Sequence, residues 1–192
     1  ADRARLHLPG PSLPGAHQQA NAALAVVALK KALEDLTEAE LAAGLKKTQW
    51  PGRLQELPKG PLRDMTSAPV WIDGAHNAHG AAELAAALPL LDDGKWHFIC
   101  GALDTRPPGE FLSRIAPHAA SIRCVPIPDQ PASLPAETLA EAAANLFSGA
   151  RAAPSVAGAL QSLADGADDE RRPVMICGSL YLAGHVLAAN GS

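Results

Sequence analysis

From Val70 onward, short apolar runs alternate with stretches of helical periodicity. The apolar runs read as buried strands, and i, i+3, i+4 spacing between them indicates amphipathic helices. Because consecutive parallel strands are joined through a helix by a right-handed crossover, this order predicts an α/β fold: a Rossmann-like, mostly parallel sheet with flanking helices. The predicted strands are 70–73, 96–100, 121–127 and 173–177, and the predicted helices are 78–88, 108–116, 136–147, 155–163 and 180–189, with Pro89 ending the first of them.

The first part of the chain has a different pattern, with no strand of its own. Residues 17–36 have helical periodicity, and Thr37 with Glu40 forms the capping-box pattern of a second helix that ends near Leu45. Such a pair cannot bury both of its faces alone. We therefore interpret residues 1–48 as the last helices of a preceding domain and residues 49–192 as an α/β domain, which opens with a connector rich in proline and glycine.

The joint Val70-Trp71-Ile72-Asp73-Gly74-Ala75-His76-Asn77 places polar groups just past the first strand of this domain. In open α/β sheets, ligands bind beyond the carboxyl ends of the strands, and the start of the following helix favours an anion. Asp104 follows the second strand and Ser179 follows the last one, so we expect Asp73, Asp104 and Ser179 at one edge of the sheet. An ordinary strand–helix joint with Asn77 as N-cap explains the same residues without a ligand.

Charge and cysteine usage narrow the class of protein. The formal net charge is -4, and the lysines and arginines are scattered, so no nucleic-acid partner is expected. The cysteines Cys100, Cys124 and Cys177 fall in or at the end of apolar runs, which fits neither a disulfide framework nor a zinc site and favours a reducing cytoplasm. No apolar stretch has membrane length and no signal peptide is evident, so we expect no membrane association.

Four segments that each carry a motif follow one another along almost the whole chain. They are Pro14–Ala23 with H-Q-x-x-N-A, Trp50–Gln55 with W-P-G-R-L-Q, Asp73–Asn77 with D-G-A-H-N, and Cys177–Gly184 with C-G-S-L-Y-L-A-G. In this order, the set resembles the Mur ligase superfamily. The H-Q pair of the first segment and the spelling of the second are most similar to its folate branch, the folylpolyglutamate and dihydrofolate synthases. The resemblance covers only the later part of such an enzyme.

The resemblance implies an ATP- and Mg²⁺-dependent ligase that adds glutamate to folate or dihydropteroate. In this family an acyl phosphate forms on the carboxylate, and the amine of the amino acid then attacks it. The nucleotide lies between a P-loop ATPase domain and a Rossmann-like C-terminal domain. Residues 1–48 would then be the helical remnant of the ATPase domain, and we expect a monomer.

Four residues are expected to contact the nucleotide on the basis of this resemblance. Asn21 would meet the adenine with His17 nearby, Arg53 would reach the phosphates, and Asp73 would accept hydrogen bonds from the ribose hydroxyls. A guanidinium suits phosphate because it stays charged and binds two oxygens in a fork. Without a ligand, His17 and Asn21 are a polar pair at a helix start, and Arg53 is a surface arginine.

Two further residues, His76 and Ser179, resemble those placed near the incoming glutamate, although helix capping or core packing also explains them. Arg53 and His76 are thus the candidate catalytic residues. The family often has an acid-lysine-acid cluster after the second strand of this domain, where this chain reads G-A-L-D-T-R-P-P at 101–108. Arg106 stands in for the lysine and the second acid is missing, which leaves the roles of Asp104 and Arg106 open.

The 192 residues contain no glycine-rich phosphate loop ending in Lys-Ser or Lys-Thr. The resemblance also places the magnesium ligands outside this chain, so no metal-binding residue is predicted here. Since phosphoryl transfer depends on that loop and its metal, the chain alone is expected to be inactive.

Two alternatives remain. One is the C-terminal domain of a cell-wall Mur ligase, and the other is a non-catalytic Rossmann-like binding module. A phosphate loop encoded upstream of Ala1 would favour a ligase, and its absence would favour the module.

Overall fold

The computed structural model describes residues 6–165 and 172–191. The chain divides into two compact units, Ala1–Pro51 and Gly52–Ser192. The domain boundary predicted from the sequence lies between residues 48 and 49.

The first unit contains two helices, α1 at Ala16–Ala32 and α2 at Glu38–Lys47. The predicted capping box is confirmed: the Glu40 N–H donates to Thr37 Oγ1 at 3.2 Å, and the Thr37 N–H donates to the Glu40 carboxylate at 2.9 Å. The Thr37 hydroxyl also donates to the Glu40 carboxylate at 2.7 Å, and these bonds from the Thr37 N–H and hydroxyl hold the pKa of Glu40 below its ordinary value. Helix α1 ends before the predicted residue 36, because Leu33 leaves the helical region with φ −130° and ψ 89°.

Among its described residues, the second unit has a six-stranded sheet and five α-helices. Strand order across the sheet is β1-β2-β6-β3-β4-β5; β1 is antiparallel to β2, and the other neighbours are parallel. The predicted mostly parallel α/β fold is therefore confirmed. The elements are β1 Gln55–Glu56, β2 Val70–Ile72, α3 Ala78–Leu91, β3 Trp96–Cys100, α4 Gly109–Ile115, β4 Ala119–Cys124, α5 Ala136–Ala144, β5 Ala150–Ala152, α6 Val156–Ala164, β6 Val174–Cys177 and α7 Leu180–Asn190.

Two apolar clusters bury the two faces of this sheet. Alternate residues of β3 enter different clusters, Phe98 and Cys100 one and Ile99 the other, as the pleat of a strand requires. Helices α3, α4 and α5 supply side chains to the first cluster, and α6 and α7 supply them to the second. Strands such as β3, with all five residues buried, are those that read as continuous apolar runs.

Pro89 does not end α3, contrary to the prediction from sequence. The helix continues to Leu91, and the Asp92 N–H still donates to the Leu88 carbonyl at 3.0 Å. A proline removes one N–H donor, and so close to the end of the helix that loss leaves the following bond in place.

Other boundaries also differ from the predictions. Strand β4 begins and ends earlier than predicted, and the chain leaves it where the Val125 N–H donates to the Cys100 carbonyl at 2.9 Å and Pro126 has no donor. Helix α5 ends at Ala144 rather than at 147. Strand β5 was not predicted, since its three residues include an exposed arginine and two small alanines.

The carboxyl ends of β2, β6 and β3 are neighbours at one edge of the sheet. The chain leaves β2 and β3 toward α3 and α4, which pack on one face, and leaves β6 toward α7, which packs on the other. Connections that part in this way open a crevice, which is where open α/β sheets bind ligands.

Candidate functional site

A cavity of about 230 Å³ occupies this crevice. Its wall comes from the ends of three adjacent strands and combines a guanidinium, an imidazole and hydroxyls with apolar side chains. It is lined by His76, Ala102, Leu103, Thr105, Arg106, Pro107, Pro108, Phe111, Gly178, Ser179, Leu180 and Tyr181. A larger cavity of about 360 Å³ opens at the opposite edge of the sheet, but it contains none of the residues predicted to carry function.

Backbone hydrogen bonds around Gly178 join the three strand ends that form the cavity. Gly178 has φ +102°, and its N–H donates to the Ala75 carbonyl at 2.8 Å, which joins the end of β6 to the loop after β2. On the other side, the Gly101 N–H donates to the Cys177 carbonyl at 3.2 Å. A Cβ at Gly178 would lie 2.4 Å from the Gly101 carbonyl oxygen, so only glycine fits there.

Ser179 caps α7 and also borders the cavity. Its Oγ accepts a hydrogen bond of 3.1 Å from the Tyr181 N–H, and the residue is buried. Ser179 therefore caps α7, as the capping interpretation predicted for this residue. The cap leaves the hydroxyl proton of Ser179 available as a donor at the start of a helix, where the dipole favours an anion.

His76 is exposed at the cavity, and a backbone contact sets its tautomer. Its Nδ1 lies 2.9 Å from the Gly74 carbonyl oxygen. Because a carbonyl only accepts hydrogen bonds, Nδ1 must carry the proton in the neutral ring. Nε2 is then the nitrogen that can accept a proton or a hydrogen bond.

Arg106 supplies the cation of the cavity. It is exposed, and its guanidinium forms no hydrogen bond or ion pair with the residues that the structure describes. Asp104, the other residue of uncertain role, is also exposed and is not part of the cavity wall; its N–H donates to the Ala132 carbonyl at 2.8 Å. The strands that precede Asp73, Asp104 and Ser179 therefore end at one edge of the sheet, as predicted. Of these three residues, only Ser179 lines the cavity.

Asp73 lies beneath the surface, outside the cavity wall, with both carboxylate oxygens engaged. Oδ1 accepts from the Ala75 N–H at 2.7 Å, and Oδ2 accepts from the Leu54 N–H at 2.9 Å. It is 7% exposed. The structure thus joins the D-G-A-H-N segment to the W-P-G-R-L-Q segment, which the sequence did not predict.

Arg53 is half-buried in the turn that Asp73 holds. The Gly74 N–H donates to the Gly52 carbonyl at 2.7 Å, which is a second bond between the same two segments. The Arg53 guanidinium forms no hydrogen bond or ion pair within residues 6–165 and 172–191.

His17 and Asn21 lie on α1, in the first compact unit. Both contact the amide of Gln18: His17 Nε2 is 2.9 Å from Gln18 Nε2, and Asn21 Nδ2 donates to Gln18 Oε1 at 3.2 Å. This is the polar cluster at a helix start that the sequence also indicated. Their predicted contact with adenine stays a prediction.

The described residues contain no group of three or more His, Cys, Asp or Glu side chains that could hold a metal ion. We therefore assign no metal ligand to them. Among the same residues, no helix is long and apolar enough to cross a bilayer.

Tyr181 and Phe111 help to line the cavity, although neither was predicted as a site residue. Tyr181 is the only tyrosine of the chain and is 56% exposed at the first turn of α7. An aromatic residue two positions after a strand-end Ser was the available signal.

Comparisons with known proteins agree with this architecture. A Lacticaseibacillus casei folylpolyglutamate synthase is 32% identical over 178 residues, which cover 91% of this chain and 38% of that enzyme. The structure of Mycobacterium tuberculosis folylpolyglutamate synthase complexed with ADP matches with a TM-score of 0.82 at 28% identity, over 97% of this chain and 42% of that one.

A second structure, the bifunctional folylpolyglutamate/dihydrofolate synthase of Yersinia pestis complexed with AMPPNP and Mn ion, matches with a TM-score of 0.76 at 26% identity, over 100% of this chain and 42% of that one. The chain thus spans about two fifths of the length of these relatives. The sequence profile of the family described as dihydrofolate synthetase, C-terminal domain, matches residues 62–189. The resemblance found in the four segments is confirmed, and the chain belongs to this dihydrofolate synthetase family.

Proposed function

We propose that this chain is the C-terminal part of an ATP-dependent ligase that adds glutamate to a folate, with or without dihydrofolate synthase activity. The observation that carries the proposal is the crevice cavity, in which Arg106, His76 and Ser179 offer a cation, a proton acceptor and a hydroxyl donor in one wall. These groups suit an amino acid that must present an amine while its carboxylates are held.

In the proposed reaction, the γ-phosphoryl group of ATP is transferred to a carboxylate of the folate, and the resulting acyl phosphate is attacked by the amine of glutamate. The C–N bond forms as the C–O bond to phosphate breaks, and inorganic phosphate leaves. His76 Nε2 accepts the proton that the amine loses, because Nδ1 already donates to the Gly74 carbonyl. Arg53 stabilises the charge of the phosphoryl group in transfer.

The nucleotide contacts are also part of the proposal. Asn21, with His17 nearby, would meet the adenine, and Asp73 would meet the ribose. The relatives support nucleotide binding, since their structures contain ADP or AMPPNP. The Yersinia pestis structure contains a Mn ion, and Mg²⁺ is the corresponding proposal for the enzyme that contains this chain. No residue of this chain is assigned to it.

We further propose folate or dihydropteroate and glutamate as the substrates, and a monomer in the cytoplasm. The free thiols of Cys100, Cys124 and Cys177 support a reducing compartment.

The test compares the full-length gene product with the isolated chain. Each is incubated with ATP, Mg²⁺ and glutamate, and with dihydropteroate, a folate or a cell-wall Mur ligase substrate as acceptor. We expect ADP release from the full-length protein only with glutamate and at least one of the first two acceptors, and none from the isolated chain. Activity only with the cell-wall substrate would assign the chain to the Mur ligases, and turnover by the isolated chain would contradict the proposal.

A further inference from the structure

The turn that carries Arg53 is fastened on both sides to the loop after β2. Ahead of Arg53, the Gly52 carbonyl accepts from the Gly74 N–H at 2.7 Å. After Arg53, the Leu54 N–H donates to Asp73 Oδ2 at 2.9 Å. Both bonds are to residues that follow one strand, so Arg53 lies between two anchor points on the same rigid element.

The backbone on either side of Arg53 has unusual dihedral angles. Gly52 has φ +74°, and Leu54 has φ +40°, in the left-handed region that a leucine rarely adopts. A non-glycine residue persists there only when its surroundings hold it. Two contacts hold Leu54: its side chain is 5% exposed in the same apolar cluster as Ala75, and its N–H donates to Asp73.

The carboxylate of Asp73 is well suited to this task. It is buried, and its Oδ1 is fixed by the Ala75 N–H at 2.7 Å, so the side chain has little freedom when Oδ2 accepts from Leu54. An asparagine has one carbonyl oxygen, and its amide nitrogen cannot accept, so it can satisfy only one of the two N–H groups.

We propose that Asp73 is a positioning residue for Arg53. By holding the Leu54 N–H, the carboxylate fixes the turn from which Arg53 reaches the transferring phosphoryl group. This inference rests on the proposed function, because it gives Arg53 a phosphate to reach. A direct ribose contact alone would make Asp73 matter for ATP binding, whereas positioning makes it matter for the rate of phosphoryl transfer.

A double-mutant cycle in the full-length enzyme separates the two roles. We expect Asp73→Asn to lower kcat by about 10- to 100-fold, since small misplacements of a catalytic group have effects of this size. We expect Arg53→Ala to lower it by roughly 100- to 1000-fold, and the double variant to be no slower than Arg53→Ala within about threefold. The Asp73→Asn loss should be the same with ATP and with 2′-deoxy-ATP.

Ser155→Ala is the matched control. Ser155 Oγ also accepts a backbone N–H, that of Gly158 at 3.0 Å, but it caps α6. We expect this variant to keep wild-type kcat. Losses that multiply in the double variant, an effect of Asp73→Asn on the KM for ATP alone, or a loss that vanishes with 2′-deoxy-ATP would overturn the proposal.

Hydrogen exchange followed by mass spectrometry tests whether Asp73 holds the turn that carries Arg53, and it does not require the enzyme to be active. In the full-length protein, Asp73→Asn should speed amide exchange in the peptide that spans residues 50–57, and Ser155→Ala should not. Unchanged exchange in Asp73→Asn would overturn positioning even if the enzyme is active. An inactive wild-type enzyme with faster exchange in Asp73→Asn would instead contradict the proposed function, while Asp73 would still be the residue that holds this turn.

Discussion

Asn190, in the last turn of α7, accepts through Oδ1 a hydrogen bond of 3.1 Å from the N–H of Leu62, 128 positions earlier. The same oxygen accepts from the Arg63 N–H at 3.0 Å, and Asn190 Nδ2 donates to the Pro58 carbonyl at 2.9 Å. One buried side chain therefore satisfies three backbone groups of the stretch from Pro58 to Arg63, which follows β1 in the proline-rich connector.

Asn190→Ala should destabilise the chain by about 2–4 kcal/mol, because it leaves one buried donor, one half-buried donor and one acceptor without their partner. Urea denaturation gives the change in the free energy of unfolding. Asn145→Ala, at an exposed position after α5, is the control and should change it by less than about 0.5 kcal/mol. Equal effects of the two substitutions would show that Asn190 does not hold the connector.

Two glycines of the last strand–helix unit should respond to alanine in opposite ways. Gly178→Ala forces a left-handed residue and a Cβ within 2.4 Å of the Gly101 carbonyl oxygen, which should cost about 2–5 kcal/mol. Gly184 is exposed inside α7 with nothing within 4 Å of an added Cβ. Gly184→Ala should stabilise by about 0.5–1 kcal/mol, since alanine is the better helix former. Melting temperatures of the two variants check the sign of each effect.

The sequence was sufficient to predict structural features that depend on residues close to one another in the chain. Strand β3 was predicted with the observed bounds because four of its five residues, all but His97, are apolar and buried on both faces. The capping interactions of Thr37 and Asn77 were also predicted correctly, since a cap depends on residues within three positions of each other. Strand β5 was missed because Ala150–Ala152 pairs with β4 through its backbone and has few apolar side chains to reveal it.

The candidate site, too, could be predicted from the sequence only in part. The alternation of strands and helices predicted a ligand crevice at the carboxyl ends of the strands, since ligands gather there in parallel sheets. The bond from Leu54 to Asp73 joins residues 19 positions apart, and no periodicity or spacing encodes such a contact. Nor could the sequence tell that Arg106 lines the cavity while Asp104 does not, because both follow β3 within a few positions.

The three cysteines should not react in the folded protein. Cys100 is opposite Cys177 on β6 and Cys124 on β4, and its Sγ is 3.9 Å from that of Cys177. The contact with the Cys177 thiol and burial raise the pKa of Cys100 well above its ordinary value, and burial raises the pKa of Cys124. Ellman's reagent at pH 8 should titrate no thiol in the native chain and three in denaturant. Rapid labelling of the native chain would contradict this burial.

The raised pKa values of Cys100 and Cys124 predict that the folded chain loses stability at high pH. In the unfolded chain a cysteine ionises at a pKa of about 8.5, whereas in the folded chain the raised pKa keeps Cys100 and Cys124 protonated. The folded state then binds more protons, so the free energy of unfolding should fall as pH rises above about 8.5, by about 1.4 kcal/mol per pH unit for each thiol. Urea titrations at several pH values check this. Cys124→Ala should show a shallower fall, and parallel curves for wild type and variant would contradict the assignment.

Arg106 should govern the affinity of the proposed enzyme for its amino acid. The guanidinium lines the crevice cavity with His76 and Ser179 and has no partner among the described residues, so it is free to bind a carboxylate. In the full-length enzyme, Arg106→Ala should raise the KM for glutamate by about 10- to 100-fold, the value of one charge-assisted contact, with little change in the KM for ATP. Arg114→Ala, an exposed arginine on α4 outside the cavity wall, is the matched control and should change neither constant. Equal KM values for glutamate in the wild type and Arg106→Ala would exclude Arg106 from the amino-acid site, while a rise in the KM for ATP alone would place it on the nucleotide side of the crevice.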